Sequence, residues 1–165
     1  MRFLLFATVL ALAGCVSTPQ TRDEFKLMVQ DHPRLAMVGS HTTNRRFEDV
    51  IGSLERKWQE CYGLQRTTTR TQGGMTTMRY RDSFHPQLRK VSDSAAEMTL
   101  RMTTEGMIML NKIPEGGEYI VALDIERAAR NRTKLTWYSS SMGGWKEGWE
   151  RNKQWSEGKD VACEA

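Results

Sequence analysis

The residues most able to do chemistry are three histidines and three cysteines, and their spacing argues against a catalytic or metal site. His32, His41 and His85 form no metal-ligand motif such as H-E-x-x-H, and none lies beside a pair of closely spaced cysteines. No G-x-S-x-G sequence carries a nucleophilic serine. Gly116-Gly117 and Gly143-Gly144 lack the flanking glycines and lysine of a phosphate-binding loop. The sequence therefore predicts no cofactor, no metal and no enzyme; a hydrolase with a site assembled from distant residues is the alternative.

The N-terminal segment has the pattern of an export signal. Residues 3–13 are apolar apart from Thr8 and follow a single cation, Arg2. This run is too short to cross a bilayer, which takes about 20 apolar residues. It ends at Leu12-Ala13-Gly14-Cys15, which resembles the lipobox of bacterial lipoproteins. The resemblance covers the first fifteen residues of the chain and names no family for the rest.

The resemblance implies how the protein is attached. In bacterial lipoproteins a diacylglycerol is joined to the cysteine thiol, the signal peptide (here residues 1–14) is removed, and the new amino group is acylated. Cys15 would then be the first residue of the mature chain. Two or three acyl chains anchor durably, because each buried methylene contributes about 0.8 kcal/mol. Val16 follows, where an aspartate would retain the protein in the inner membrane, so the resemblance implies the periplasmic face of the outer membrane.

The lipobox also reduces the possible cysteine pairs to one. If Cys15 carries lipid, Cys61 and Cys163 are the remaining cysteines. Exported proteins with such a pair commonly form a disulfide, which here would tie the C-terminus to the body of the fold. The alternative is two free, partly buried thiols.

The mature chain is long enough for one domain and is mildly basic. Removing residues 1–14 from the 165-residue chain leaves 151 residues, enough to bury about two thirds of the unfolded surface. The formal charge of +4 falls to +3 when Arg2 is lost. This balance lacks the dense cationic stripe of a nucleic-acid binder.

Residues 15–43 are predicted to be a lipidated tether and a lead-in helix, and residues 44–165 a single domain. Val16–Gln20 is a short stalk, and the capping box Thr21–Glu24 starts a helix that ends at His32, before Pro33.

Two long helices flank the rest of the domain. The first covers Arg45–Tyr62, with Asn44 as its cap and Gly63 ending it in a left-handed turn. Its apolar stripe comprises Phe47, Val50, Ile51, Leu54, Trp58 and Cys61. The second covers Gly144–Glu157 and stops at Gly158.

Between the helices the hydrophobic period changes to two, which predicts strands. Polar alternation over 65–72 and 77–81, with Gly73-Gly74 between, predicts a hairpin. Further strands are expected around 98–103, 107–110, 119–126 and 135–138. The sequence thus predicts an α+β fold: an antiparallel sheet of about five to six strands, one face in water, with an N-terminal and a C-terminal helix packed on it.

Seven residues are candidates for an interaction surface, four of them arginines of the hairpin and three of them tryptophans of the C-terminal helix: Arg66, Arg70, Arg79, Arg81, Trp145, Trp149 and Trp155. The hairpin would offer strand edges to another chain, or its arginines simply protect an edge. The tryptophans would form a platform, or they pack in the core. A wider basic set would contact anionic lipid headgroups, or it simply forms a solvated surface. Besides the four arginines of the hairpin it includes Arg89, Lys90, Arg127, Arg130, Arg132 and Lys134.

The sequence therefore predicts a non-enzymatic outer-membrane lipoprotein, a structural or accessory subunit of an envelope assembly with a protein partner. The alternative is a module that binds a lipid or small molecule in an apolar pocket between helix and sheet, lined by some of the nine methionines besides Met1. No nucleic-acid partner is expected.

Overall fold

The computed structural model describes residues 18–32, 36–63, 65–72, 76–105, 114–140 and 145–163. Leu12-Ala13-Gly14-Cys15, the Gly73-Gly74 turn and the expected strand at 107–110 lie outside these ranges.

Six antiparallel strands form one sheet in the order β1-β6-β5-β4-β3-β2. The strands are β1 (Ala36–Thr43), β2 (Gln65–Gln72), β3 (Thr76–Lys90), β4 (Ala95–Glu105), β5 (Glu118–Ala129) and β6 (Arg132–Ser140). The helices are α1 (Arg22–Asp31), α2 (Phe47–Tyr62) and α3 (Trp145–Ser156). The predicted α+β class, with helices from both ends of the chain packed on an antiparallel sheet, is confirmed.

The helices cover both faces of the sheet. Alternate residues of β5 separate the two layers: Leu123 and Ile125 join the core beneath α2 and α3, whereas Ala122 joins Phe25, Val29 and Tyr138 beneath α1. A register shift on β5 opposite Leu100 and Arg101 brings Tyr119 to the α1 side, where its ring stacks 6.1 Å from Phe25. The face expected to be in water is therefore partly covered by α1.

The helix ends follow the sequence signals in part. The capping box of α1 is present, with the Glu24 amide donating to the Thr21 hydroxyl and His32 following the helix. In α2 the capping residue is Arg46, not Asn44, and Gly63 has φ −72°, not the left-handed conformation expected. The Gly63 amide continues the helical pattern by donating to the Gln59 carbonyl, so no left-handed turn is required. Gly158, with φ +84°, ends α3 as predicted.

Strand β1 is the largest element that the sequence analysis missed. Residues 36–43 fall in the segment assigned to the tether and lead-in, yet all eight pair with β6, from Ala36 opposite Ser140 to Thr43 opposite Thr133. The sheet thus begins before residue 44. Because β1 is an edge strand in which seven of the eight residues are half-buried or exposed, its apolar alternation is too weak to reveal it.

The second half of β3 was also missed, and Pro86 is the reason. Proline has no amide to donate, which argues against a central strand. Here β2 pairs with β3 only as far as Ser83, so the stretch around Pro86 has β4 on one side and no strand of the described chain on the other. Proline is compatible with such an edge.

Gly39 of β1 allows α3 to pack directly on the strand backbone, and we expect Gly39→Ala to lower the free energy of unfolding by about 1–3 kcal/mol. A Cβ atom at this position would lie 2.6 Å from Nε1 and 2.8 Å from Cε2 of Trp149. Urea titration followed by tryptophan fluorescence measures the change.

Gly52→Ala is the matched control, because a Cβ there meets nothing within 4 Å and Gly52 is exposed on α2. It should raise stability by about 0.5–1 kcal/mol. Equal effects of the two substitutions would contradict the packing of Trp149 on β1.

Candidate functional site

The C-terminal tryptophans form part of the core and not an exposed platform. Trp149 is 6% exposed and Trp155 is 1% exposed, while Trp145 is half-buried against the same core. Trp137 packs 5.7 Å from Trp149 and 6.3 Å from Trp58, measured between ring centroids. The proposed interaction surface at Trp149 and Trp155 is thus wrong, because the apolar face of α3 is turned onto the sheet.

A buried amide organises this aromatic core. Asn152 is fully buried, and its side-chain oxygen accepts a 2.6 Å hydrogen bond from the Trp58 indole. Its side-chain nitrogen donates to the Gly148 carbonyl at 2.7 Å and to the Tyr62 hydroxyl at 3.4 Å. Both helices of this face are therefore joined by polar contacts inside an apolar cluster. The sequence places Asn152 three residues from both Trp149 and Trp155, but it gives no sign of its partner.

The space between helices and sheet is occupied by side chains of the chain itself. Met98 is 1% exposed within the core, and Met37 and Met102 pack against it. These methionines therefore serve as core residues. The alternative of an apolar ligand pocket lined by methionines stays a prediction.

The C-terminal segment is fastened to α2 by a disulfide and an ion pair. Cys61 and Cys163 are bonded, as predicted. Lys57 is 5% exposed, and its Nζ lies 2.6 Å from Asp160 and 3.0 Å from Glu60. The hydrogen bond from Lys57 lowers the pKa of Asp160, and the same contacts raise the pKa of Lys57. The Trp155 indole donates to the Val161 carbonyl at 2.9 Å. We call the Cys61–Cys163 bond and these polar contacts of residues 155–163 the C-terminal clamp.

The three histidines are not brought together. His32 is exposed at the end of α1. The Nε2 atom of His41 lies 3.4 Å from Glu157, and that of His85 lies 3.0 Å from the Thr103 hydroxyl. Within the described ranges no group of three His, Cys, Asp or Glu side chains is placed to bind a metal.

The predicted hairpin forms and extends beyond its neighbour. The described part of β4 ends at Glu105, opposite Arg81 of β3, whereas β2 continues to pair with β3 for five more residues, from Thr68 opposite Tyr80 to Gln72 opposite Thr76. We call β2 together with residues 76–80 the arm. At about 3.4 Å per residue it projects about 17 Å past the end of β4. Among the strands described, none pairs with the outer edge of β2.

The candidate arginines are distributed along this arm and its base. Arg66 and Arg70 lie in β2, and Arg79 lies in the projecting part of β3. Arg81 is exposed at the base, 3.3 Å from Glu105. β2 and residues 76–81 contain four arginines and no acidic residue. The arm is thus a basic two-stranded ribbon.

Charges on the α1 face were not anticipated. Asp124 of β5 accepts a hydrogen bond from Arg22 and a 2.6 Å bond from Lys26, and Arg22 also lies 3.6 Å from Glu97. These pairs attach the first helix to the middle of the sheet.

Three of the six further basic residues are paired with acidic groups. Arg89 bonds Glu97 at 2.6 Å, Lys90 lies 3.3 Å from Asp93, and Arg127 bonds Glu48. The other three, Arg130, Arg132 and Lys134, are exposed and have no partner among the described residues.

Comparisons with known proteins add no functional information. The sequence matches no family model and no curated protein. A solved structure of an uncharacterized protein from Rhizobium leguminosarum aligns with 73% of this chain and 88% of that chain, at 10% identity and a TM-score of 0.31. That similarity is too low to support an argument. No helix in the described ranges is long and apolar enough to span a membrane.

Proposed function

We propose that the protein is a non-enzymatic, lipid-anchored subunit of an envelope assembly, and that the arm binds its protein partner. The lipid on Cys15 would hold it at the periplasmic face of the outer membrane. The observation that carries the proposal is the projection of the arm beyond the last described residue of β4, with a strand edge that no described strand covers.

The arm differs from the other edge of the sheet. β1 contacts α1 and α3 on its two faces, whereas β3 is the only described element with which β2 makes extensive contacts. An isolated two-stranded hairpin is only marginally stable in water. An added strand from a partner would satisfy backbone groups and extend the ribbon.

The composition of the arm suggests the chemistry of the partner. β2 has the sequence QRTTTRTQ, which contains no proline and no lysine, two residues that commonly protect free edges. The arm contains three arginines, Arg66, Arg70 and Arg79, and no acidic residue, and this charge favours an acidic extended segment as the partner. Backbone hydrogen bonds would provide affinity, and the arginines would select the partner.

Shortening the arm tests this function. Deleting residues 68–72 and 76–80 leaves the three residue pairs nearest the body of the sheet, from Gln65 opposite Ser83 to Thr67 opposite Arg81. We expect the detergent-extracted wild-type protein to migrate in a stoichiometric complex and the shortened variant to migrate as a free lipoprotein. Size-exclusion chromatography with light scattering measures the difference.

Two controls make the result specific. The variant Lys90→Gln/Asp93→Asn removes an exposed ion pair at the other end of β3 and should leave the complex intact. An unchanged melting temperature of the shortened variant would show that its core is folded. A complex of unchanged size in the shortened variant would overturn the arm as the docking site, and unlipidated Cys15 in the mass of the mature protein would overturn the anchor.

A further inference from the structure

Three cations at the turn between β5 and β6 and at the start of β6 have no partner among the described residues. Arg130, Arg132 and Lys134 are exposed, and no hydrogen bond or ion pair joins them to any described residue. Glu126 is opposite Lys134 in the strand register but lies outside ion-pair distance. Since most other cations of this region are paired, the turn is a local excess of positive charge.

An exposed apolar residue lies at the same end of the sheet. The loop formed by residues 91–94 is joined to β5 by the Arg127 amide, which donates to the Ser94 carbonyl at 2.8 Å. Val91 of this loop is 50% exposed, and the Lys90–Asp93 pair beside it is neutral overall. We call residues 91–94 and 129–134 the loop end.

The chain enters the fold near the loop end. Arg22, the first residue of α1, contacts Glu97, which is the third residue of β4 and close to the 91–94 loop. From there α1 leads to β1, whose first residue, Ala36, pairs with Ser140 at the opposite end of the sheet. The arm projects from that opposite end.

The length of the tether limits which end can reach a membrane. Seven peptide steps separate Cys15 from Arg22, a reach of about 25 Å when fully extended. The twelve residues of β5 span about 40 Å, and the arm adds about 17 Å beyond β4. A lipid on Cys15 therefore keeps the loop end nearer to the bilayer than the arm.

We infer that the loop end rests on the anionic phospholipid surface through Arg130, Arg132 and Lys134, so that the arm points away from the membrane. This inference depends on the proposed lipid anchor. Basic residues near an anionic surface each add to binding within a Debye length, about 8 Å at physiological salt. Because the acyl chains already hold the protein at the membrane, these three cations need only orient it. Val91 would add an apolar contact at the headgroups.

Fluorescence transfer to labelled lipid headgroups tests this orientation. In the lipidated protein Cys61 and Cys163 are bonded to each other, so Asn131→Cys introduces the one free thiol for a donor dye. A second variant carries the same dye on Thr67→Cys, at the base of the arm. Transfer from each variant is measured in vesicles of phosphatidylcholine with about 30% phosphatidylglycerol. We expect transfer at least about twofold stronger from position 131 than from position 67.

Charge removal supplies the matched controls. Arg130→Gln/Arg132→Gln/Lys134→Gln should reduce transfer from position 131 by at least about twofold, as should pure phosphatidylcholine vesicles or about 1 M salt. Arg66→Gln/Arg70→Gln/Arg79→Gln, which removes the three arginines of the arm, should leave the transfer from position 131 unchanged.

The outcomes separate the two proposals. Vesicle flotation and the mass of the mature protein report the lipid, and its absence would overturn both the anchor and the orientation. A lipidated protein that floats with the vesicles but shows equal transfer from both positions, or stronger transfer from position 67, would overturn the orientation alone. Transfer that is insensitive to the triple substitution would overturn the role of the three cations.

Discussion

Replacing both Cys61 and Cys163 with alanine is expected to lower the free energy of unfolding by about 3–5 kcal/mol while leaving the native fold in place. The bridge joins residues 102 apart in sequence, and closing so long a loop restricts the unfolded chain most strongly. The C-terminal clamp keeps its other contacts, including Lys57 with Asp160. Urea unfolding of the double variant measures the loss of stability. Near-ultraviolet circular dichroism without denaturant shows whether the native fold is kept.

Reductant provides the control for this experiment. Wild-type protein unfolded in the presence of a thiol should show the stability of the double variant, and the double variant should not respond to the thiol. If wild-type stability were the same with and without reductant, the disulfide would contribute nothing to the fold and the entropic argument would fail.

Asn152→Leu is expected to cost about 2–4 kcal/mol even though it replaces a polar residue in the core with an apolar one. The substitution leaves the buried Trp58 indole N–H without its 2.6 Å acceptor. An unsatisfied buried donor costs about 1–3 kcal/mol, and misfit of the new side chain adds to this. Thermal and urea unfolding, followed by the fluorescence of the buried tryptophans, give the value.

A double-mutant cycle isolates the hydrogen bond. Trp58→Phe removes the donor, so adding Asn152→Leu to Trp58→Phe should cost at least about 1 kcal/mol less than adding it to the wild type. Purely additive losses would show that Asn152 acts by shape alone and would contradict the role given to its side-chain oxygen.

The elements with strong periodicity could be predicted from the sequence, whereas those defined by their neighbours could not. The stripe of α2 and the alternation of β5 each report a buried face directly. β1 could not be predicted because an edge strand needs no regular alternation, and the extension of β3 was hidden by Pro86, which is unfavourable in a strand unless an edge is free.

The candidate site shows the same division. The sequence predicted the hairpin and the pair Cys61 and Cys163, since turn residues and cysteine count are local signals. The sequence could not show that the hairpin extends beyond the described part of β4, because that depends on how β2 and β4 are each placed against β3 in the register. Nor could it decide between core and surface for Trp149 and Trp155, since a broad aromatic face suits both.

The pairing of β1 with β6 also determines when this protein can fold. Ala36 meets Ser140, so the second element of the chain finds its partner only after more than one hundred further residues are available. Contacts of such sequence separation form slowly, because a long loop must close first. A chain that crosses a membrane from its N-terminus would therefore hold β1 unpaired until almost all of it has emerged. The closing steps of folding, this strand pairing and the bond to Cys163, would take place together after export is complete.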